Sequence, residues 1–377
     1  MITLEDQVPE AALAAMRAPF LEQGATPIET PVLQPLALLL DLAGEAMRPR
    51  LFVVQADGID EACLRPDFTI PVARAHIDGG ARSGRYLYEG KAFRVAPAGS
   101  GRAEEFLQIG VESFGLGDPA AADAAMAGVA WRAAAAGGRG DLTLEMGDIG
   151  LFREFLEALG LPRPLVVRLD RAFRRPRSLA AELERAQSPA PAAAPASRLA
   201  ALLAGLPEAE GAKALEELWA LAGVQPVGGR APAEIVHRLA EQAEAAKAPA
   251  LASADAAKIR AFLAVSEGPA AALAAVARLA KAPGLDRALD AWSARLKAMT
   301  AAGAPEARMR FSPAFGRSFG YYDGFLFEVR SAALDAERPL AAGGRYDGLM
   351  TRLGARARTG AVGCMVRPWR AWSEGER

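Results

Sequence analysis

The chain has 377 residues, 51% of them hydrophobic, so it can bury a sizeable core and is not disordered throughout. Its 44 basic and 45 acidic residues give a net charge of -1, which excludes a global basic field able to hold a nucleic-acid backbone. Its two cysteines and two histidines have no metal-ligand spacing, and no run reaches the ~18 apolar residues of a membrane span, so we expect a soluble, cytoplasmic protein without a metal.

The first part of the chain, up to about residue 160, predicts a mixture of helices and strands. Apolar spacing predicts helices over residues 9–23 and 119–136. Runs of β-branched and aromatic residues bounded by turn residues predict strands at 51–54, 85–95, 104–114 and 142–147.

The middle of the chain changes composition. From about residue 165 to 302, Ala, Leu, Glu and Arg recur at helical spacing and are interrupted by prolines, which predicts a helical insertion. After Pro305 the strand pattern returns at 308–312 and 321–329, followed by a helix at 346–353 and a last strand at 361–366. We therefore expect an α+β fold in which residues 1–163 and 305–377 share one sheet and 164–304 are inserted.

The first segment with candidate functional residues is LRPDFTIPVAR, residues 64–74. Asp67 and Thr69 are two residues apart, and on a strand they would share a face. A carboxylate and a hydroxyl presented together can accept hydrogen bonds from an ammonium group, as in a free amino acid. Taken alone, the segment is more typical of a turn without a binding role.

A second candidate segment, residues 90–115, predicts two antiparallel strands joined by a loop rich in proline and glycine. Gln108 and Glu112 lie four residues apart on the second strand and so point to the same side. Their amide and carboxylate can together bind a ring that carries one donor and one acceptor, such as imidazole. The alternative is an exposed polar strand face.

The third candidate segment, GRSFGYYDGFLFEV, contains Arg317, Tyr321 and Tyr322. The arginine can hold a carboxylate through two hydrogen bonds, and the tyrosines can line an aromatic ring and bond its nitrogen. The alternative is a tyrosine pair within a strand.

GGRYDGL, residues 343–349, predicts pocket architecture more than direct ligand contact. Its glycines predict a tight turn before a helix, and Arg345 and Asp347 are placed for a local ion pair. We assign Tyr346 to the core.

The segment with Arg317 and the string LAAGGRYDGL resemble the two signature strings of histidyl-tRNA synthetases. Residues 90–115 resemble motif 2 of class II aminoacyl-tRNA synthetases, with matches at Arg94, Arg102, Gln108 and Glu112. The resemblance implies a class II synthetase-like core, an antiparallel sheet flanked by helices. It also implies a histidine-binding site formed by Asp67, Thr69, Arg94, Gln108, Glu112, Arg317, Tyr321 and Tyr322.

The nucleotide half of the synthetase pattern is altered in this chain. Ala96 stands where motif 2 normally has glutamate, and Arg367 and Pro368 replace a glycine and an apolar residue of the last motif. A bulky arginine and a proline should obstruct a nucleotide site. The chain also ends roughly thirty residues after the second signature string, so no anticodon-binding domain is expected.

A retained amino-acid half with an altered nucleotide half is similar to the ATP phosphoribosyltransferase regulatory subunits. That resemblance implies a regulatory subunit of histidine biosynthesis, without catalytic residues or a cofactor, which activates a short catalytic subunit and mediates feedback inhibition by histidine. It also implies a homodimer formed through a motif 1-like segment, GATPIETPVLQP, and a hetero-octamer with the catalytic subunit.

Two other hypotheses stay open at this point. One is a catalytic, histidine-activating enzyme, favoured by Arg94, Arg317 and Arg370 but opposed by Ala96 and Arg367. The other is a stand-alone histidine-binding module with no effect on phosphoribosyl transfer.

Overall fold

The computed structural model describes residues 4–55, 58, 60–115, 117–174, 176–188, 202–203, 205–223, 232–233, 235–237, 239–240, 250–316, 320–355 and 357–376. The chain divides into two units, one of residues 1–151 with 262–377 and one of residues 152–261. Among the described helices, none is long and apolar enough to cross a membrane.

All strands of the described residues belong to the first unit. They are β1 (Thr26–Pro27), β2 (Leu33–Pro35), β3 (Val53–Val54), β4 (Ala62–Leu64), β5 (Gly84–Phe93), β6 (Glu105–Phe114), β7 (Leu142–Asp148), β8 (Met309–Phe311), β9 (Phe325–Ser331), β10 (Ala341–Arg345) and β11 (Ala361–Val366).

Eight of these strands form one sheet in the order β1-β5-β6-β11-β10-β9-β7-β8, while β2, β4 and β3 form a separate small sheet. Neighbours in the large sheet are antiparallel except at its two edges, where the pairs β1 with β5 and β7 with β8 are parallel. The C-terminal strands β11, β10 and β9 lie between the N-terminal strands β6 and β7, so the prediction that the two flanks form one sheet is confirmed.

The helices follow the predicted pattern closely at the N-terminal end, since the predictions at 9–23 and 119–136 match α1 and α4 within one residue at each end. The helices of the described residues include α1 (Glu10–Glu22), α2 (Leu36–Ala43), α3 (Thr69–Asp78), α4 (Pro119–Ala135), α5 (Ile149–Ala158), α6 (Arg163–Phe173), α7 (Pro176–Gln187), α8 (Glu208–Ala222), α9 (Ser253–Ala264), α10 (Pro269–Leu279), α11 (Pro283–Ala301), α12 (Asp347–Arg352) and α13 (Pro368–Ala371).

The second unit is helical throughout its described secondary structure, as the composition of this region predicts. It is shorter than the expected insertion at 164–304, because α10 and α11 belong to the unit that holds the sheet. The domain boundaries expected at residues 163 and 304 therefore stay a proposal. The two compact units of the structure have their boundaries at residues 151 and 262.

A buried charge network explains why α11 belongs with the sheet. Asp123 of α4 is fully buried and pairs with Arg295 of α11 at 2.9 Å and with Arg345 of β10 at 2.7 Å. Arg345 also pairs with Asp347 at 2.9 Å, as the sequence predicts. Burial raises the pKa of Asp123, and the two guanidinium groups oppose that rise. One carboxylate thus joins two helices to a central strand.

The substitution Asp123→Asn should test this network. It leaves two buried guanidinium groups without their shared carboxylate, so we expect the free energy of unfolding to fall by about 3 to 5 kcal/mol. Denaturant unfolding measures the change. The matched control is Glu45→Gln, which removes an exposed ion pair with Arg48 and should cost about 1 kcal/mol or less. Equal losses in the two variants would contradict a structural role for the network.

Candidate functional site

Seven of the eight predicted site residues line one cavity in the first unit: Asp67, Thr69, Arg94, Gln108, Glu112, Tyr321 and Tyr322. The eighth, Arg317, lies outside the described residues, so its position stays a prediction. The sequence did not single out the other lining residues, which are Tyr88, Ala342, Gly363, Cys364 and Met365. The cavity has a volume of about 20 Å³, room for about one water molecule.

Asp67 and Thr69 face this cavity, but not from a strand. Thr69 is the first residue of α3, and Asp67 lies just before it, where its Oδ1 accepts a hydrogen bond from the Thr69 backbone N–H at 3.2 Å. The strand prediction was therefore wrong: an aspartate that bonds the backbone two residues on is typical of a turn that starts a helix. Asp67 and Thr69 therefore both form the turn at the start of α3 and line the cavity.

The carboxyl of Asp67 is buried beside a guanidinium group. Tyr321 donates a hydrogen bond to its Oδ2 at 3.4 Å, and Arg94 is held nearby because its Nε donates to the Pro66 carbonyl at 2.8 Å. Burial raises the pKa of Asp67, while the positive charge of Arg94 and the Thr69 N–H lower it. This corner of the cavity therefore presents an acceptor next to a cation.

Glu112 of β6 lies deeper, with both carboxyl oxygens already in contact with protein donors. Its Oε1 accepts from the Thr69 hydroxyl at 2.8 Å, and its Oε2 accepts from the Tyr346 hydroxyl. Burial raises the pKa of Glu112 to about 8, although the hydrogen bonds from Tyr346 and Thr69 oppose the rise. A carboxyl that titrates near neutral pH can either accept from or donate to an imidazole nitrogen.

Among the described residues that line the cavity, Gln108 is the one whose buried polar side-chain atoms have no hydrogen-bond partner. It is fully buried on β6, on the same side of the strand as Glu112, as their spacing predicts. Neither its Oε1 nor its Nε2 has a hydrogen-bond partner among the described residues. A buried amide without a partner costs about 1 to 3 kcal/mol, so this donor and acceptor are suited to a polar ligand in the cavity.

Tyr321 and Tyr322 form an aromatic wall. Both precede β9, which begins at Phe325, so the prediction that this strand starts at residue 321 was wrong. Their rings lie 4.8 Å apart between centroids, and the Tyr321 ring meets the Tyr346 ring edge-on at 6.0 Å. Tyr321 and Tyr322 thus line the cavity, and the Tyr346 ring packs against both of them.

Glycines on three neighbouring strands make the space for these large side chains. An added Cβ at Gly363 of β11 would collide with Glu112 Oε2, and one at Gly110 of β6 would collide with the Tyr88 hydroxyl. A Cβ at Gly344 of β10 would lie 2.8 Å from the Tyr322 ring. The prediction that the glycines of GGRYDGL form a turn before the helix was therefore wrong for Gly343 and Gly344, which both lie within β10.

Tyr346 is the residue whose role sequence reasoning missed. Its assignment to the core is correct for the ring, which is 1% exposed, but its hydroxyl donates to Glu112 across 234 positions of sequence. No local pattern could reveal that contact.

The arginine that replaces a glycine of the synthetase pattern is engaged within the protein. The guanidinium of Arg367 lies 3.6 Å from the centroid of the Phe106 ring and pairs with Glu5. Glu5 also accepts a hydrogen bond from the Leu107 N–H at 3.2 Å. Burial lowers the pKa of Arg367 to about 9. One face of Phe106 is therefore covered by the chain's own side chain.

Among the described residues, no group of three or more His, Cys, Asp or Glu side chains is placed to hold a metal ion. Both cysteines, Cys63 and Cys364, are buried and free.

Comparison with known proteins gives a consistent result. The histidyl-tRNA synthetase family profile matches residues 6–246 and 218–368. An ATP phosphoribosyltransferase regulatory subunit from Mesorhizobium japonicum is 38% identical over 92% of this chain and 92% of its own length. The homologue of the same name from Sinorhizobium fredii is 39% identical over 89% of both chains.

Two solved structures share the fold. A Bacillus halodurans protein described as an ATP phosphoribosyltransferase regulatory subunit/histidyl-tRNA synthetase aligns with a TM-score of 0.68 at 20% identity, covering 97% of this chain and 80% of that one. A histidine–tRNA ligase subunit from Alicyclobacillus acidocaldarius aligns with a TM-score of 0.58 at 21% identity, covering 98% and 95%. The expected α+β, class II synthetase-like fold is confirmed.

The substitution Gly363→Ala should test the geometry around Glu112. The added methyl group meets the Glu112 carboxyl, so we expect the free energy of unfolding to fall by about 1 to 3 kcal/mol. The control is Gly140→Ala, where an added Cβ has no atom within 4 Å and should have little effect. Denaturant unfolding of both variants measures the difference, and a neutral Gly363→Ala would contradict the described contact.

Proposed function

The chain belongs to the family of ATP phosphoribosyltransferase regulatory subunits, and we propose that its buried cavity binds L-histidine and reports that binding to a separate catalytic subunit. Family membership makes the chain a non-catalytic subunit of ATP phosphoribosyltransferase, which acts in histidine biosynthesis. The resemblance noted in the sequence is thereby confirmed. The proposal adds the ligand, its site and the regulatory effect.

The unsatisfied amide of Gln108 is the observation that carries the proposal. A neutral imidazole has one donor and one acceptor, which match the free Oε1 and Nε2 of Gln108 together with the carboxyl of Glu112. Tyrosine rings on the same cavity provide the contact surface for a flat ring. An amide side chain also carries a donor and an acceptor, so the contact with the tyrosine rings is what favours imidazole over it.

The remaining polar groups suit the amino-acid backbone of the ligand. The buried carboxylate of Asp67 is the proposed acceptor for the α-ammonium group, and Arg317 is the proposed partner of the α-carboxylate. The hydroxyl of Thr69 donates to Glu112, so its proposed contribution to the ammonium is a lone pair only.

The size of the cavity suggests how binding affects the rest of the protein. Room for about one water molecule is too little for histidine, so the lining side chains must separate for the ligand to enter. A ligand that favours a wider cavity shifts the protein toward that conformation. We propose that the catalytic subunit is activated by the regulatory subunit and inhibited when histidine binds, with the two sites linked by a coupling free energy of typically about 1 to 3 kcal/mol.

The small sheet is the proposed homodimer surface. One face of it is formed by Leu33, Pro35, Val54, Ala62 and Leu64, all apolar and none of them buried. β2 lies within the motif 1-like segment at residues 24–35. An uncovered apolar sheet face favours pairing with an equivalent face of a second copy. The proposed complete assembly is a hetero-octamer with the short catalytic subunit.

The hypothesis of a histidine-activating enzyme is wrong, since the family is one of regulatory subunits. The engagement of Arg367 by Phe106 and Glu5 agrees with that conclusion. A stand-alone histidine-binding module would share the cavity but would not change the rate of phosphoribosyl transfer.

Phosphoribosyl transfer by a cognate short catalytic subunit, measured with and without this chain across a histidine titration, tests the proposed function. We expect the chain to raise the rate and histidine to reverse the increase. The complex formed with Gln108→Leu should stay active at histidine concentrations that inhibit the unchanged complex, because leucine lacks the amide donor and acceptor.

The same variant separates binding from folding. Because the Gln108 amide has no partner among the described residues, we expect Gln108→Leu to unfold at the same or a higher denaturant concentration than the unchanged chain. Gln187→Leu, on a helix of the second unit, should retain histidine inhibition. Full histidine inhibition with Gln108→Leu would contradict the assigned site.

Leu33→Asp tests the homodimer surface. Leu33 is 49% exposed, and a charge on the apolar face of the small sheet should shift the regulatory chain toward monomer in sedimentation analysis. The control, Leu221→Asp, changes a leucine that is 87% exposed on α8 and should leave the sedimentation unchanged. A dimer that persists in Leu33→Asp at the same concentration would contradict this surface.

A further inference from the structure

Tyr346 is held in place from both sides along the chain. Its backbone N–H donates to the Ala361 carbonyl at 2.9 Å, and its neighbours Arg345 and Asp347 form an ion pair with each other. Arg345 is tied in turn to Asp123 of α4. The backbone that carries the phenol ring is therefore fixed to the sheet.

The hydroxyl of Tyr346 contacts Glu112 without reaching the ligand cavity. Tyr346 is not among the residues that line the cavity, whereas Glu112 is. Glu112 has two carboxyl oxygens, and the protein supplies one hydroxyl donor to each, Thr69 from α3 and Tyr346 from the end of β10. Each oxygen keeps one further lone pair for other hydrogen bonds.

We propose that Tyr346 is a positioning residue for histidine recognition: its hydroxyl fixes the orientation of the Glu112 carboxyl so that its remaining lone pairs face the imidazole ring. This inference rests on the proposed function, since it assumes that the cavity binds histidine. A second donor is required because Thr69 alone holds one oxygen and leaves the carboxyl free to rotate about its last bond.

The same hydrogen bond affects the charge of Glu112. The titratable groups that face this carboxyl are Asp67, Tyr88, Tyr321 and Cys364, and the nearby charge of Asp67 favours the protonated form of Glu112. The hydroxyls of Tyr346 and Thr69 favour the ionised form, because they donate to it. Loss of the Tyr346 hydroxyl therefore keeps Glu112 protonated to a higher pH.

The test compares Tyr346→Phe with the unchanged chain by calorimetric titration of L-histidine between about pH 6 and about pH 9. We expect binding to weaken about tenfold at the upper end of this range, where Glu112 is ionised in the unchanged chain, as for the loss of one hydrogen bond to a charged group. We also expect the pH dependence of the affinity to shift toward higher pH relative to the unchanged chain. Protonation of the free histidine ligand affects both proteins equally, so it cancels in this comparison.

The matched control is Tyr86→Phe. It removes a tyrosine hydroxyl that bonds the ring nitrogen of His76 at 3.0 Å, whereas the hydroxyls that donate to Glu112 are those of Thr69 and Tyr346. We expect its histidine affinity and pH profile to equal those of the unchanged chain. Thr69→Val removes the other donor to Glu112 and should shift the pH profile in the same direction as Tyr346→Phe, which keeps the test decisive if Tyr346→Phe does not fold.

An unchanged affinity in folded Tyr346→Phe overturns the inference. A weaker affinity of Tyr346→Phe without a shift in the pH profile also overturns it, because that pattern indicates a general loss of packing. If Thr69→Val is the only folded variant, a pH profile equal to that of the unchanged chain overturns the inference. Absence of histidine binding to the unchanged chain is a different result, since it contradicts the proposed function itself.

Discussion

The buried carboxyl of Glu112 is the constraint on which the site depends. A carboxyl group away from water must be protonated or hydrogen-bonded, and this one has a donor on each oxygen and a pKa raised to about 8. Those donors come from α3 and from the end of β10, and the side chain fits because Gly363 on the paired strand has no Cβ. Three separate parts of the chain are thus required to hold one carboxyl.

The sheet supplies the precision that this arrangement needs. β6 and β11 are neighbours, and their register places Gly363 opposite Glu112. The network of Asp123, Arg295 and Arg345 joins β10 to two helices, so the end of β10 that carries Tyr346 is anchored. Against this rigid frame, Gln108 keeps its amide without a partner. A rigid cavity lining that holds an amide without a partner is suited to recognise a ligand, because the ligand supplies the missing hydrogen bonds.

Local patterns predicted those parts of the fold and site that depend on short stretches of chain. The period of a strand placed Gln108 and Glu112 on one side, and helical spacing located α1 and α4. The strand predicted for Asp67 and Thr69 was wrong, because side chains two residues apart can also face the same cavity where a turn begins a helix. The contacts of Tyr346 and Arg295 span 234 and 172 positions, so they depend on the sheet register and helix packing, which a single sequence does not contain.

The most direct measurement of the central claim is a calorimetric titration of L-histidine into the isolated chain, with L-glutamine, which lacks the imidazole ring, as the comparison ligand. The account predicts one histidine bound per chain and at least about tenfold weaker binding of L-glutamine, because glutamine has no flat ring to pack against Tyr321 and Tyr322. Absence of histidine binding, or equal affinity for the two amino acids, would contradict the assignment of this cavity.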